Sequence, residues 1–361
     1  MILLVVIISL SIFTVISVYN LFTAPVLRIK STNLKNEKLV SVLIPARNEE
    51  NNILKCIEGI INQDYNNKEI IILDDNSTDK TYEIASSIHS TNLKILKGKE
   101  LPSAWLGKNW ACHQLSSVAK GDYLLYIDAD VDLKQNAISS VVYEMKTSNA
   151  TLISIFPTQV IKSFGEYLIV PLMNWLLLTF LPLRFVYHSK NESFIAANGQ
   201  FMLWKKEDYF KIGGHNVVKD KIVEDMELAR LAKKNNFKVK TFLGGELVYC
   251  RMYNSFQESY SGFQKNFFAG FSINPFFFLI MITFLLAVFV SPIVMLPTGS
   301  YYFLPVGLII LARVSISIVS RQNFIMNIFL HPIQMLFMFW IGILSVIKFK
   351  TNNLVWKQRK F

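Results

Sequence analysis

Cysteine is scarce and unpaired in this chain. Its three residues, Cys56, Cys112 and Cys250, are odd in number, lack paired spacing and sit among apolar neighbours. That excludes a disulfide frame and a thiolate zinc site, and it predicts reduced, buried thiols. Charge is also sparse, at 17% of 361 residues. The formal net charge of +11 is carried by scattered lysines, with no basic block interleaved with aromatics, so no nucleic-acid partner is expected. Internal repeats and low-complexity tracts are missing as well, which excludes a repeat array.

What the chain has in quantity is apolar surface: 52% hydrophobic residues and a mean hydropathy of +0.34. This is too apolar for an ordinary soluble enzyme, yet the middle of the chain is too charged for a pure transporter. A mixed protein follows, with one soluble domain and several membrane segments. Residues 2 to 22 carry no charge and are long enough to cross a bilayer, and Arg28, Lys30, Lys35 and Lys38 follow them. The positive-inside bias then places the N-terminus outside and the next domain in the cytoplasm, in a multi-pass cell-membrane protein. A signal peptide is the competing reading, but a basic n-region and a small-x-small cleavage site are lacking.

From Leu39 to about Cys250, short apolar runs alternate with helical patterns. Val40–Pro45, Glu69–Asp74, Leu93–Leu96, Tyr123–Ile127, Thr151–Phe156 and Gln200–Trp204 read as strands. Glu50–Asn62, Asp79–Ile88, Asn109–Ala119 and Val223–Asn235 read as helices. Such alternation predicts an α/β domain on a mostly parallel sheet. Leu168 to Tyr187 is nearly apolar but broken by Pro171, Asn174, Pro182 and Arg184, and reads as a helix in the membrane interface, with a true span as the alternative. After Asn274-Pro275 the composition changes for good. Phe276–Leu296, Tyr302–Val319 and Phe329–Ile347 are each of span length. Three crossings would leave the basic tail, Lys348 to Lys360, outside, against the charge bias. Either one segment is interfacial or re-entrant, with Arg313 and Pro332 marking the two candidates, or the tail breaks the rule. The expected organisation is a first span over 1–23, a soluble domain over 39–250 with an interfacial stretch at 164–187, an interface helix over 251–275, a membrane region over 276–347 and a basic tail over 348–361.

Candidate chemistry gathers at strand ends. Asp128-Ala-Asp130 closes the run Leu124–Ile127. On an extended backbone the two carboxylates would share a side and could hold a hard divalent cation and, through it, a diphosphate. Taken alone, the pair is better explained by an ordinary strand-to-loop transition. Pro45-Ala46-Arg-Asn-Glu49 and Asp74-Asp75-Asn-Ser-Thr-Asp79 follow the first two strands, at the edge where open parallel sheets bind ligands. Their carboxylates could accept from a uracil N3–H or a ribose hydroxyl, or make loops and N-caps. Lys108, after Gly107, could reach a phosphate or stay solvated. Ala197-Asn198-Gly199-Gln200 and Gly213-Gly-His215 offer close backbone approach or simple turns. Glu224-Asp225 opens a helix, where acidic residues suit the dipole and where one could also act as a general base.

The ordered set Ile44-Pro-Ala-Arg-Asn-Glu49, Asp74-Asp-Asn-Ser-Thr-Asp79, Asp128-Ala-Asp130 and Glu224-Asp225 resembles the inverting family 2 glycosyltransferases over residues 39 to 250. Trp105-Leu-Gly-Lys-Asn-Trp-Ala-Cys112, Gly213-Gly-His215, Arg251-Met-Tyr253, Gly262-Phe-Gln-Lys265-Asn266 and Trp356-Lys-Gln-Arg359 are similar to the membrane-bound branch that glycosylates carotenoids and hopanoids. Gly262–Asn266 departs from the Q-x-x-R-W of processive relatives, which argues against a polysaccharide synthase. Gln358 replaces a glycine of the tail motif.

The resemblance implies a GT-A nucleotide-sugar-binding fold flanked by N- and C-terminal transmembrane helices, a UDP-sugar donor, Mg²⁺ or Mn²⁺, and a lipid acceptor at the membrane. It gives Pro45, Ala46, Glu49, Asp75, Lys108 and Asp128 to the nucleotide-sugar, Asp128 and Asp130 to the metal, and Asp225 with Glu224 to catalysis. Asn198, Lys265, Trp356 and Arg359 fall to the acceptor or diphosphate. The implied reaction moves a hexose, glucose foremost, to a terpenoid lipid such as a carotenoid carboxylate. Polyprenyl-phosphate, hopanoid and glycerolipid acceptors are the alternatives, and a non-catalytic membrane scaffold is the reading from another class.

Overall fold

The computed structural model describes residues 1–30, 37–351, 355–356 and 359–360. It divides into two compact units. One comprises 25–158 and 186–251; the other comprises 1–24, 159–185 and 252–361.

The first unit is built on nine strands that matter here: β1 (Val40–Ala46), β2 (Lys68–Asp74), β3 (Leu93–Lys97), β4 (Tyr123–Ile127), β5 (Val131–Leu133), β6 (Leu152–Phe156), β7 (Phe201–Lys205), β8 (Val239–Leu243) and β9 (Val248–Cys250). Seven form one sheet in the order β3-β2-β1-β4-β7-β6-β8. Its pairings are parallel except at β7, which runs antiparallel to both β4 and β6. Every residue of β4 is buried, as a central strand covered on both faces requires. Among the covering helices, Ile53–Ile61 turns Ile53, Cys56, Ile57 and Ile60 inward. This is the spacing of one helical face, and each large aliphatic side chain there contributes about 1.5–3 kcal/mol by burial.

The chain runs outward through β1, β2 and β3 and then returns to β4 on the other side of β1. That reversal makes the carboxyl ends of β1 and β4 a topological switch point, where a crevice opens. A short antiparallel ladder of β5 with β9 sets Cys250 opposite Val131 and Tyr249 opposite Asp132.

The second unit is helical and apolar. Ile2–Thr23, Pro275–Thr298, Ser300–Val319 and His331–Lys350 are each long and apolar enough to cross a membrane. The stretch 164–187 begins as two short helices, Phe164–Tyr167 and Pro171–Phe180. The second is ten residues long, well under the ~20 that a crossing needs. Asn20 ties its end to the first long helix, donating to the carbonyls of Leu178 and Leu181 at 2.9 and 2.8 Å and accepting from the Leu183 amide at 2.9 Å.

The helices Phe256–Phe271, Pro275–Met295 and His331–Lys350 show a consistent pairing. Phe278 packs on Phe267 and Phe268, Phe289 lies against His331, and Gly342 faces Ile282. The final helix therefore runs antiparallel to Pro275–Met295. Between Val319 and His331 the chain doubles back: Asn327 Nδ2 donates to Ser317 Oγ at 3.0 Å, and Arg313 Nε to His331 Nδ1 at 2.7 Å. The short helix Phe324–Phe329 is thus the returning arm of a hairpin whose tip is at 320–323.

Candidate active site

Asp128 and Asp130 do not lie on an extended strand. β4 stops at Ile127, and the amide of Val131 donates to the Asp128 carbonyl at 3.1 Å, closing a turn. The Asp128 amide is in turn held by the Gln200 carbonyl at 3.1 Å. The carboxylates thus share a turn rather than the pleat of a strand, and each has its own set of neighbours.

Asp128 faces Lys108. The ammonium lies 2.9 Å from both carboxylate oxygens and 3.3 Å from Glu224 Oε1. Burial works against a charged lysine here, but Asp128 and Glu224 more than offset it and hold Lys108 protonated. Gly199 forms the floor between these groups. A Cβ at that position would come within 3.0 Å of Lys108 Nζ, 3.1 Å of Glu224 Oε1 and 3.4 Å of Asp225 Oδ2. The glycine flagged in the sequence for close backbone approach is thus approached by three of the candidate side chains.

Asp225 stands in the first turn of the helix Glu224–Lys234. Its Oδ2 accepts from the Gly199 amide at 2.7 Å and its Oδ1 from the Met226 amide at 2.8 Å. Burial, and then the neighbouring Glu224 carboxylate, push its pKa up to about 7; Lys108 and the two amides oppose that rise without cancelling it. A carboxyl poised near neutrality beside a cation is suited to proton transfer.

Asp130 joins a different chain of groups. The Cys250 thiol hydrogen-bonds to it, and burial, then the nearby carboxylate, keep that thiol protonated. Gln200 Nε2 donates to Cys250 Sγ at 3.0 Å, and Asn198 Nδ2 to Gln200 Oε1 at 3.4 Å. Asn198 itself is fixed through its amide on Ser154 Oγ at 2.8 Å. Asn198 and Gln200 thus support Asp130 through a thiol that the sequence gave no reason to single out. All three cysteines are buried and free.

Pro45 and Ala46 end β1, next to Asp74 at the end of β2. The Asp75 amide donates to the Ala46 carbonyl at 2.8 Å, and Arg47 Nη1 reaches the carbonyls of Asp75 and Asn76 at 2.6 and 2.8 Å. Glu49 is anchored by its amide on Thr81 Oγ1 and by its carboxylate on Asn52. These contacts bind the loops after β1 and β2 into one rim of the crevice. Asn109, directly after Lys108, donates through Nδ2 to the carbonyls of Val218, Lys219 and Lys221 at 2.8, 3.1 and 3.0 Å. It holds the segment that leads into Glu224. His215 is structural: it is buried, bonded to Tyr209 Oη at 2.7 Å, and lowered by burial to about 3, so it stays neutral. Gly213 and Gly214, at φ 91° and 54°, make the turn before it.

Lys265 lies on the helix Phe256–Phe271 of the other unit. Val355-Trp356 and Arg359-Lys360 pair as a two-stranded ladder, but the side chains of Trp356 and Arg359 lie outside the described residues, as do Lys357 and Gln358 of the basic tail. Among the described residues no group of three or more His, Cys, Asp or Glu side chains is placed to hold a metal. The turn bearing Asp128 and Asp130 offers two hard oxygen ligands. That donor set suits a Mg²⁺ or Mn²⁺ ion whose other ligands come from substrate phosphates and water.

A parallel sheet with a switch-point crevice, an acidic turn and a carboxylate at a facing helix start define a GT-A-like α/β domain in a multi-pass membrane protein. The chain belongs to glycosyl transferase family 2, whose profile matches residues 41–223. Within that family it is similar to the 4,4′-diaponeurosporenoate glycosyltransferase of Staphylococcus aureus strain USA300, at 29% identity over 249 residues, covering 68% of this chain and 64% of that protein. The corresponding enzyme of Staphylococcus haemolyticus strain JCSC1435 is 29% identical over 234 residues, covering 64% and 61%. The likeness therefore spans just under two thirds of these relatives' length. In fold, the chain is similar to the mannosyltransferase PcManGT of Pyrobaculum calidifontis, solved with GDP-Man and Mn²⁺, with a TM-score of 0.53, 14% identity, and coverage of 96% of this chain and 98% of that one.

Proposed function

We propose that this protein transfers a hexose, glucose foremost, from a UDP-sugar to a terpenoid lipid in the membrane, with inversion at the anomeric carbon. The observation that carries this reading is the convergence of Lys108, Asp128, Glu224 and Asp225 on Gly199 at the carboxyl end of β4. In this reading Glu49 and Asp75, on the rim beside Pro45 and Ala46, accept hydrogen bonds from the uridine. Lys108 stands ready to exchange a carboxylate partner for a diphosphate oxygen. Asp128 and Asp130 would hold Mg²⁺ or Mn²⁺, which when bound offsets the charge of the leaving diphosphate as a Lewis acid. Asp225, fixed by the Gly199 and Met226 amides, takes the proton of an attacking hydroxyl, with Glu224 keeping its affinity for that proton high.

For the acceptor we favour a carotenoid carboxylate, as the names of the staphylococcal relatives suggest. Such an acid ionises near pH ~4 and attacks without a base; Asp225 would then orient it. The raised pKa of Asp225 supports a second reading, a lipid hydroxyl. Lys265, Trp356 and Arg359 remain assigned to the acceptor or diphosphate in this proposal. We also place the catalytic unit in the cytoplasm, on the strength of Arg28, Lys30 and Lys38 after the first span.

The test uses the full chain in detergent with UDP-glucose and a panel of carotenoid acids and alcohols, reading product by mass spectrometry and anomeric configuration by NMR. Transfer that is lost in Asp130→Asn and gives a β-linked product from UDP-α-glucose is the expected result. Substantial transfer by that variant would overturn the assignment. Absence of UDP binding with or without Mn²⁺ would favour a non-catalytic scaffold.

A further inference from the structure

Arg313 sits within the apolar helix Phe303–Val319 and is 1% exposed. A guanidinium cannot shed its proton, so the apolar unit contains a full positive charge. Its partners are neutral. Nε donates to His331 Nδ1, which must therefore be unprotonated, and Nη2 donates to Gln334 Oε1. Nη1 is buried with no hydrogen-bond partner, and none of the ion pairs among the described residues involves Arg313. A buried cation with an idle donor is costly unless an anion meets it.

A second observation falls at the same place. The helix is broken at Leu330, and the new helix His331–Lys350 starts there with no side-chain cap and with Pro332 in its first turn. Its first residue is Arg313's partner. Helix breaks at membrane depth are tolerated where they are buried in protein or line a cavity, and the positive end of a helix dipole favours an anion. Buried aromatic rings adjoin the break. The guanidinium lies 5.8 Å from the centroid of Trp175, and Trp175 and Phe289 meet edge-on at 4.9 Å beside His331.

We propose that Arg313 and the first turn of His331–Lys350 form a binding site for the anionic head, carboxylate or phosphate, of an amphiphile dissolved in the bilayer, with Trp175 and Phe289 against its apolar part. The proposal rests on the lipid-acceptor reading above and narrows it to acceptors that carry a negative charge. Arg313 precedes the end of its own helix by six residues, about 9 Å. That end lies toward the side on which Pro275–Met295 begins. Its partner His331 lies beside Phe289, well along Pro275–Met295 from its start, so the site lies within the apolar unit and takes an amphiphile that enters sideways from the bilayer.

The test uses the full chain in nanodiscs of phosphatidylcholine, with all-trans-retinoate and all-trans-retinol as probes read by tryptophan quenching. Farnesyl phosphate and farnesol serve as competitors. The wild-type chain should half-saturate with retinoate at a concentration about ten-fold below that for retinol. Displacement by farnesyl phosphate but not farnesol would show that phosphate heads are accepted, and failure of both to displace would restrict the site to carboxylates. Arg313→Gln should remove the acid preference while UDP titration stays unchanged, and Trp175→Phe should remove most of the quenching. A wild-type chain that binds acid and alcohol alike overturns the proposal without recourse to any variant, as does a folded Arg313→Gln that keeps the preference. If the wild-type chain fails to bind UDP while still preferring the acid, the transferase reading fails and the lipid site stands.

Discussion

At the scale of single residues, the site turns on how two neighbouring carboxylates are kept different. Asp225 has amide donors on both oxygens but is buried beside Glu224, and its pKa rises to about 7. A base works when deprotonated, so with a hydroxyl acceptor the rate should fall as pH drops through about 7. Glu224→Gln, by removing the neighbouring charge, should move that limb to lower pH, and a pH–rate profile of the two proteins reads the shift. Asp225→Asn should lower turnover by about 10²–10⁴-fold while leaving UDP affinity within a few-fold.

Cys250 carries the second residue-scale prediction. Its thiol donates to Asp130 and receives Gln200; if Asp130 holds the metal as proposed, this is the kind of outer contact whose loss costs about 10–100-fold in metal affinity. Cys250→Ala should weaken Mn²⁺ binding by about ten-fold in an EPR titration, and Cys250→Ser should restore most of it. Retention of full affinity by the alanine variant would make the thiol mere packing. None of this was legible in the chain. Asp128, Asp130, Asp225 and Lys108 announce themselves by type and position, but the partnership of Gln200 with Cys250 joins residues 50 apart and follows only from the β5–β9 register.

Among elements, the alternation of apolar runs and helical patterns gave most of the sheet, because central strands are uniformly apolar and need no partner to be seen. The strands that escaped are short or late in the domain. Val131–Leu133 and Val248–Cys250 have three residues each, too few for a period to register, and the first was hidden by the expectation that Asp128 and Asp130 extended the preceding strand. The helix Ala137–Ser148 was missed too; its first six residues, serines included, are all buried, so a polar face shows only in its second half, too short for a helical period to register.

Asn109 shows what an element gains from one side chain. By holding the carbonyls of Val218, Lys219 and Lys221 it fastens the helix Gly107–Val118 to the approach of Glu224. Asn109→Ala strips those carbonyls of a donor, at a cost of about 1–3 kcal/mol for each one left buried and unsatisfied. A lower denaturation midpoint is expected, together with a fall in turnover larger than the change in UDP affinity. An equal loss in both would mean that Asn109 serves stability alone.

For the molecule as a whole, the arithmetic of crossings sets a re-entrant segment against a tail that breaks the charge rule, and the pairings in the helical unit favour the first. Three full spans after the catalytic domain would put Lys348 and Lys350 opposite the other basic residues. The second reversal, at Leu330, removes that parity: Phe324–Phe329 runs back along Phe303–Val319, and His331–Lys350 then heads for the side on which Pro275–Met295 begins. The last helix starts part-way along its neighbours, beside Phe289, and finishes against Phe256–Phe271, where Lys348 donates to Gln264 at 2.6 Å. Its end is therefore level with the start of Pro275–Met295. A topology reporter fused after Phe361 should report the same side as one fused after Asn274 in a truncated chain. Opposite sides would require His331–Lys350 to cross completely. The sequence marked Arg313 and Pro332 as the places where the rule would bend; the direction of the bend needed the pairings 317 with 327 and 313 with 331.

The reversal at Leu330 also decides which connection of the helical unit lies at the end away from Pro275. At that end the connection Leu296–Tyr302 carries no charge, so a protease or charged inhibitor arriving there finds no ion pair to make with it.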